Sequence, residues 1–373
     1  MHARFMNPLP IVHSALFGDC LFIDNSTLEF LDTCPRSMEY FYMNKRTSSD
    51  ERGALNFGGG VHAALACRYS QASGYQDFCS GTPVEQQMIE RMDEYFAANP
   101  LPIDGWRTAE HARNIVLGYN TRYDVEPFRV LEQAGKPLTE FPFAFKLVTT
   151  KAEVPKWEYE APGWDKKITH RLITWFYTGR IDLVVGEGSQ IFTLDHKTTS
   201  MMGDGFWMEQ RVSPQHEGYC WAWWKATGLV PAGYIVNGIR TRKPLVRDES
   251  GKSKRSQRQD VEADDFQRDK VFIDLPRLME WESNLKAKLE TFLWYYSRGY
   301  FPAHKKWCVG KYGACQYYDV CSLSPEFRIP TLNSGNFKDA TWSPLERKEG
   351  EVVPKPDNEY PIDWENLMKE SVE

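Results

Sequence analysis

Two carboxylates and a lysine stand inside apolar runs of this chain. Asp182 lies in Gly179-Arg180-Ile181-Asp182-Leu183-Val184-Val185, and Asp195 and Lys197 end Ile191-Phe192-Thr193-Leu194-Asp195-His196-Lys197. Both runs have the composition of buried strands, where a carboxylate without a partner is costly. A metal ion would supply that partner. Strand alternation puts Asp195 and Lys197 on one face, about two residue rises apart, so a cation and an ammonium can flank one phosphate. The other reading of the same residues is a buried ion pair. An Asp-x-Lys triplet alone says little: Asp165-Lys166-Lys167 is a second, and Glu346-Arg347-Lys348 a near relative. Those two sit in polar, loop-like stretches beside Gly163 and Pro344.

More chemistry-bearing residues follow a similar logic. Gln215 and Tyr219 share a face of a helix opening at Ser213-Pro214, at i and i+4, where an amide and a phenol can reach a phosphate, a base or the lysine, or can simply form a half-buried helix face. His62 follows three glycines, Gly58-Gly59-Gly60. Its neutral imidazole is a competent Mn²⁺ ligand, less suited to Mg²⁺, although a lone histidine behind glycines is more often a satisfied structural one. Glu140 opens Glu140-Phe141-Pro142-Phe143 as either a supporting acid or a strand-edge charge. Three cysteines crowd into the spacing Cys308-x6-Cys315-x5-Cys321. Thiolates this close suit zinc or an iron–sulfur cluster, each commonly taking four ligands. Cys34, in Thr33-Cys34-Pro35-Arg36, is the choice for the fourth, and a group held this way would tie the two ends of the domain together.

The elements needed to position these groups can be read from periodicity. Arg171–Ser200 reads as two strands joined by a turn over Gly186–Gln190. A helix opens at the capping-box pattern Ser26-Thr27-Leu28-Glu29. Further helices are expected over Ala54–Ser70, Val84–Ala97, Trp106–Arg122, Pro214–Thr227 (stopped by Gly228) and Leu275–Arg298. Strands are expected at Phe128–Glu132, Glu140–Thr149, Tyr234–Ile239 and Val271–Asp274, with a loop or hairpin insertion over Lys151–Lys167. Arg240–Asp260 carries many basic residues and few acids, so it is either a solvated loop or a track for a nucleic-acid backbone. Residues 1–25 form an N-terminal segment, 26–323 the main domain, and 324–373 an acidic, proline-rich tail expected to hug the surface or stay disordered.

A chain of 373 residues can bury a large core; 42% hydrophobic and 26% charged residues are ordinary for a globular protein. The net charge of −6 gives no global basic field, so any nucleic-acid contact must come from local patches. The N-terminus lacks the pattern of a signal peptide, and no run approaches a membrane span. The expected location is the cytoplasm, where the eight cysteines would stay reduced rather than form a disulfide framework.

In order along the chain, Cys34-Pro35, Gly58–His62, the Glu140-led strand, Gly179-Arg180-Ile181-Asp182, Asp195-His196-Lys197, Gln215-x-x-x-Tyr219 and the three C-terminal cysteines form a recognisable series. It resembles the RecB-type branch of the PD-(D/E)XK nuclease superfamily, in particular members with an iron–sulfur cluster such as the AddB-type nuclease domain, CRISPR-adaptation exonucleases and similar phage proteins. The resemblance spans about Ser26 to Cys321. It implies a mixed α/β, restriction-endonuclease-like fold: a central mixed sheet flanked by helices, with an iron–sulfur-stapled helical region from residues 26–45 and 300–323. It implies Mg²⁺ or Mn²⁺ held by His62, Asp182, Asp195 and the carbonyl of His196. It also implies that Lys197 orients the attacking water and stabilises charge, that Gln215 and Tyr219 support the site and contact DNA, and that Cys34, Cys308, Cys315 and Cys321 ligate a [4Fe–4S] cluster, with zinc as the alternative. One departure stands out: many relatives space the first two C-terminal cysteines Cys-x-x-Cys, whereas six residues separate Cys308 from Cys315. The implied activity is exonucleolytic hydrolysis of DNA, single-stranded or with free ends, beside a helicase or recombination partner; the alternative is a non-catalytic iron–sulfur DNA-binding subunit.

Overall fold

The structure, a computed structural model, describes residues 8–14, 17–49, 53–70, 83–103, 106–133, 136–155, 169–241, 245–247, 253–255, 261–310 and 313–340. Its main sheet contains β1 (Val12–Ser14), β2 (Gly18–Ile23), β3 (Thr139–Glu153), β4 (His170–Glu187), β5 (Gln190–Thr199), β6 (Gly233–Arg240) and β7 (Phe266–Phe272), with Arg129–Val130 paired to the end of β4. The main helices are α1 (Asn25–Thr33), α2 (Gly53–Ser70), α3 (Pro83–Ala98), α4 (Ala109–Arg122), α5 (Asp204–Arg211), α6 (Pro214–Thr227), α7 (Leu275–Ser297) and α8 (Pro325–Leu332).

Strand β4 is the spine. Bulky and β-branched residues fill both of its faces over Ile173–Thr178 and again over Leu183–Val185, the pattern of a strand covered on both sides. One edge pairs antiparallel with β3 from Thr139 to Glu153. The other edge is shared: β2 runs parallel to it opposite Ile173–Tyr177, and β5 runs antiparallel opposite Leu183–Glu187. Between those two ladders, among the described residues, the stretch 178–182 has no paired strand on that edge, and the sheet forks there. Beyond the fork β5 stays with β6, which is parallel to it as far as Arg240 opposite Thr199, and β7 closes the far side antiparallel.

Alternation along the strands feeds two helix layers. Leu183, Val185, Leu194, Ile235 and Ile239 pack with α2, α3 and α4; Tyr177, Ile181, Val184, Tyr234 and Val236 pack with α1, α6 and α7. Burial of this many apolar side chains on both faces, at about 25 cal/mol per Å², makes the sheet a rigid frame for the fork.

Several local expectations shift. Helix α1 starts earlier than the capping-box pattern predicts: Asp24 is the cap, accepting from the Thr27 amide at 2.7 Å and from its hydroxyl at 2.6 Å. Of the loop or hairpin insertion expected over Lys151–Lys167, the described part is hairpin: β3 continues to Glu153, paired antiparallel with β4 at His170, and residues 156–168 lie outside the described residues. The strand expected at Val271–Asp274 is the end of β7, and Asp274 instead caps α7. The expected Phe128–Glu132 strand is split into Arg129–Val130 and Glu132–Gln133. Helix α5 is not foreseen. Outside residues 26–323, β2 lies in the sheet, and after Ser322 the chain forms α8 and a strand, Phe337–Asp339, paired with Arg46–Ser48. Residues 341–373 lie outside the described residues. Helix α6 matches its expected range, with Pro214 in its first turn and Gly228 at φ 71° ending it.

Candidate active site

The fork gathers the acids. Leu183 is the last β4 residue paired with β5, opposite Leu194, so Asp182 and Asp195 are the next residues on the two strands as these separate. On the other edge, Thr139 faces Leu183 and Phe141 faces Ile181, which places Glu140 beside Asp182. Three acidic positions therefore cross the sheet in one row. Glu140 has φ of 48°, left-handed backbone that is uncommon outside glycine, and Arg180 Nη1 is 3.5 Å from its carboxylate.

Lys197 Nζ lies 2.7 Å from Asp195 Oδ2 and donates to Gln215 Oε1 at 2.8 Å. The Gln215 amide nitrogen donates to Tyr219 Oη at 2.7 Å and comes within 3.5 Å of Asp195 Oδ1. The i, i+4 spacing on α6 thus delivers both groups to the carboxylate–lysine pair. Asp195 is only 4% exposed, and its Oδ2 is buried without a directed hydrogen bond; the ammonium beside it sits off the hydrogen-bond direction. Asp182 accepts from the His196 N–H at 2.9 Å and has His62 Nδ1 at 3.5 Å. Burial, and then the charge of Asp195, push Asp182 up to about 6. Two close acids answered by a single lysine are a setting that a cation relieves. As placed, no group of three or more His, Cys, Asp or Glu side chains among the described residues is arranged to hold a metal ion.

His62 reaches the fork because α2 lies tight on the sheet and on α3. A Cβ at Gly58 would lie 2.7 Å from Thr198 Oγ1, and Cβ atoms at Gly59 and Gly60 would collide with Tyr95 and Phe96. The glycines are therefore packing residues, and the histidine one turn later profits from the close approach.

The His196 ring passes to the opposite face of β5. It is buried, with Nδ1 2.7 Å from Asn237 Nδ2, and it stacks on Tyr69. Burial, then the charges of His62, Arg268, Arg68 and Lys197, hold it well below the usual imidazole range, so the ring is neutral. Its surroundings, above all Asn237, Arg268, Glu126 and Tyr69, escape the sequence reading. An asparagine in the apolar run Tyr234–Ile239 was the available signal.

The four cysteines Cys34, Cys308, Cys315 and Cys321 line a single pocket with His304, Trp307 and Tyr318. All four are free and partly buried, and burial pushes the Cys315 and Cys321 thiols up. The pocket joins the end of α1 to the C-terminal region: the His304 N–H approaches Cys34 Sγ at 3.4 Å, and the Cys315 N–H donates to the Cys308 carbonyl at 2.9 Å. Of the basic stretch, Arg242, Lys243, Lys252 and Arg258 lie outside the described residues. Leu245–Arg247 and Ser253–Arg255 pair as a hairpin, and Arg240 is bound to Asp265 at 2.5 Å.

Residues 25–322 match the family model of the PD-(D/E)XK nuclease superfamily. The chain belongs to that superfamily. The matched stretch runs from α1 through the fork and α6 to the last of the clustered cysteines, and the central mixed sheet flanked by helices is the architecture of a PD-(D/E)XK nuclease. No curated protein matches the chain. In this PD-(D/E)XK nuclease, no helix among the described residues is long and apolar enough to cross a membrane.

Proposed function

We propose that the chain is a RecB-type, Mg²⁺- or Mn²⁺-dependent DNA exonuclease that hydrolyses phosphodiester bonds at the sheet fork. One observation carries this reading: two carboxylates, the buried Asp195 and the half-buried Asp182, stand side by side where β4 and β5 part, next to a lysine pinned by Gln215. Carboxylate oxygens and the His196 carbonyl would suit Mn²⁺ or Mg²⁺, and the His62 imidazole favours Mn²⁺ of the two. A divalent ion there would polarise the scissile phosphate and lower the pKa of a bound water.

The chain's own groups do the rest. Lys197 adds positive charge where negative charge develops on the phosphate, a preorganised effect whose loss costs about 3 kcal/mol. Gln215 fixes the ammonium, and Tyr219 fixes Gln215. Glu140 supports Asp182 from the neighbouring strand. Cys34, Cys308, Cys315 and Cys321 would hold a [4Fe–4S] cluster, or zinc, as a staple between α1 and the C-terminal region. The substrate is DNA with free ends or single strands, acted on in the cytoplasm beside a helicase or recombination partner.

End-labelled single- and double-stranded DNA incubated with Mg²⁺ or Mn²⁺ tests the proposal, with Asp195→Ala as the control. Ladder or mononucleotide release by the wild-type chain and none by the variant is the expected result. DNA binding without cleavage in either metal would mean a non-catalytic DNA-binding subunit instead.

A further inference from the structure

Behind the fork, the sheet carries polar side chains that the proposed chemistry leaves unused. His196, Asn237 and Arg268 stand abreast on three neighbouring strands: Asn237 is the register partner of His196 in the β5–β6 ladder and of Arg268 in the β6–β7 ladder. They are bonded in that order, with Asn237 Nδ2 2.7 Å from His196 Nδ1 and Arg268 Nε donating to Asn237 Oδ1 at 3.1 Å. Arg268 then donates to Glu126 Oε2 at 2.5 Å. Glu126 Oε1 accepts from the Tyr69 hydroxyl at 2.6 Å, and the Tyr69 ring lies on His196, with centroids 5.7 Å apart and planes 15° from parallel. The path leaves His196 by its edge and returns to it by its face.

Arg68, wholly buried, donates to the same Glu126 from the helix side. Two guanidiniums thus share one carboxylate in a dry layer. Such charges cost desolvation that apolar residues of equal size avoid, so their yield is geometry rather than stability. That geometry converges on the peptide of His196. Its N–H holds Asp182 Oδ2 at 2.9 Å, and its chain neighbours are Asp195 and Lys197. A shift of the His196 backbone, which the held ring resists, would disturb all three.

We propose that Asn237, Arg268 and Glu126 are positioning residues: by locking the His196 ring they keep Asp182 and Asp195 placed so that one divalent cation can be shared. The inference rests on reading the fork as a metal site.

The test is Mn²⁺ binding to the full chain by isothermal titration calorimetry, well below the melting temperature, with Tm and the Mn²⁺ dependence of DNA hydrolysis alongside. Asn237→Asp keeps the volume and the acceptor for Arg268 but removes the donor to His196 Nδ1. Leu289→Ala, a core truncation on α7 in the opposite layer, provides a loss of stability not aimed at the fork. Asn237→Asp is expected to raise the Kd for Mn²⁺ roughly tenfold or more, whereas Leu289→Ala lowers Tm and leaves that Kd unchanged. A folded Asn237→Asp with wild-type Kd, or an equal loss in Leu289→Ala, overturns the inference. Should Asn237→Asp fail to fold, Tyr69→Phe, which keeps the ring stack and loses the hydroxyl's bonds to Glu126, Tyr119 and Arg268, is held to the same two criteria. A wild-type chain that binds no Mn²⁺ sinks the fork as a metal site before any variant is compared.

Discussion

Gln215 accepts a hydrogen bond from the ammonium of Lys197 at 2.8 Å, joining helix α6 to strand β5 across the mouth of the fork. The lysine is therefore aimed by a residue on another element, and α6 is itself fixed in the core through Tyr219 and Trp221. Gln215→Ala leaves Lys197 with Asp195 alone and free to swing out of line. The kcat for DNA hydrolysis is expected to fall roughly ten- to hundredfold, as removal of a preorganised contact to a charge stabiliser does, with Tm little changed. Rates at saturating DNA and metal check this, and a wild-type kcat would show that α6 does not aim the lysine.

The approach of α2 to β5 is set at Gly58, where a Cβ would lie 2.7 Å from Thr198 Oγ1. Gly58→Val overpacks that contact and is expected to cost about 2 kcal/mol, and to lower activity further because His62 rides on the same helix. Thr198→Ala removes the obstructing hydroxyl, so the double variant should recover most of both losses. Denaturation midpoints and Mn²⁺-dependent rates of the four proteins in the cycle measure the coupling. Strict additivity would place the strain elsewhere.

What was legible in the sequence was local. The acids at 182 and 195 betray themselves as charges in apolar strands, and Pro214 and Gly228 bracket α6 by their backbone preferences alone. The fork itself was not legible. It arises because β2, a short strand far upstream, occupies half of one edge of β4, and no periodicity within Gly18–Ile23 states which strand it will join. Glu140 could be noticed but not placed, since its position beside Asp182 depends on the β3–β4 register. Glu126, Arg268 and Arg68 look like surface charges in sequence, and only their mutual pairing makes their burial tolerable. The stretch after Ser322 reads as tail because α8 carries an internal Pro330 and little periodicity; Phe337 and Leu332 nonetheless pack with Tyr40 and Tyr317.

His216, next to Gln215, is buried, has Nε2 3.0 Å from Gln210 Oε1 and faces the ring of Tyr234. Burial holds its imidazole down to about 4. The unfolded chain, with an ordinary histidine near 6.5, binds more protons than the native state between those values. Stability from this group is therefore present above about pH 6.5 and is lost as pH falls through about 4, amounting to about 3 kcal/mol. His216→Phe removes the titration while filling the space. Urea midpoints from pH 7 down to the acid limit should fall more steeply for the wild type than for the variant, and the comparison cancels the opposite contribution of Asp182. Parallel curves would rule the burial of His216 out as a source of acid lability.

Cys34 caps the end of α1 and Cys321 lies in the short helix Tyr318–Ser322, so any group bridging the thiols of their shared pocket fastens segments that are distant along the chain. A bound structural metal contributes its binding free energy to folding. Cys34→Ala is accordingly expected to lose its iron or zinc and to melt roughly 10 °C lower or more. Cys20→Ala, a buried thiol in a separate small cluster, should keep full metal content. Metal analysis and melting of anaerobically purified protein decide between them. Brown protein carrying iron points to a cluster, and colourless protein with stoichiometric zinc to the alternative. Full metal content and unchanged Tm in Cys34→Ala would take this residue out of the ligand set and leave the pocket to the three C-terminal thiols.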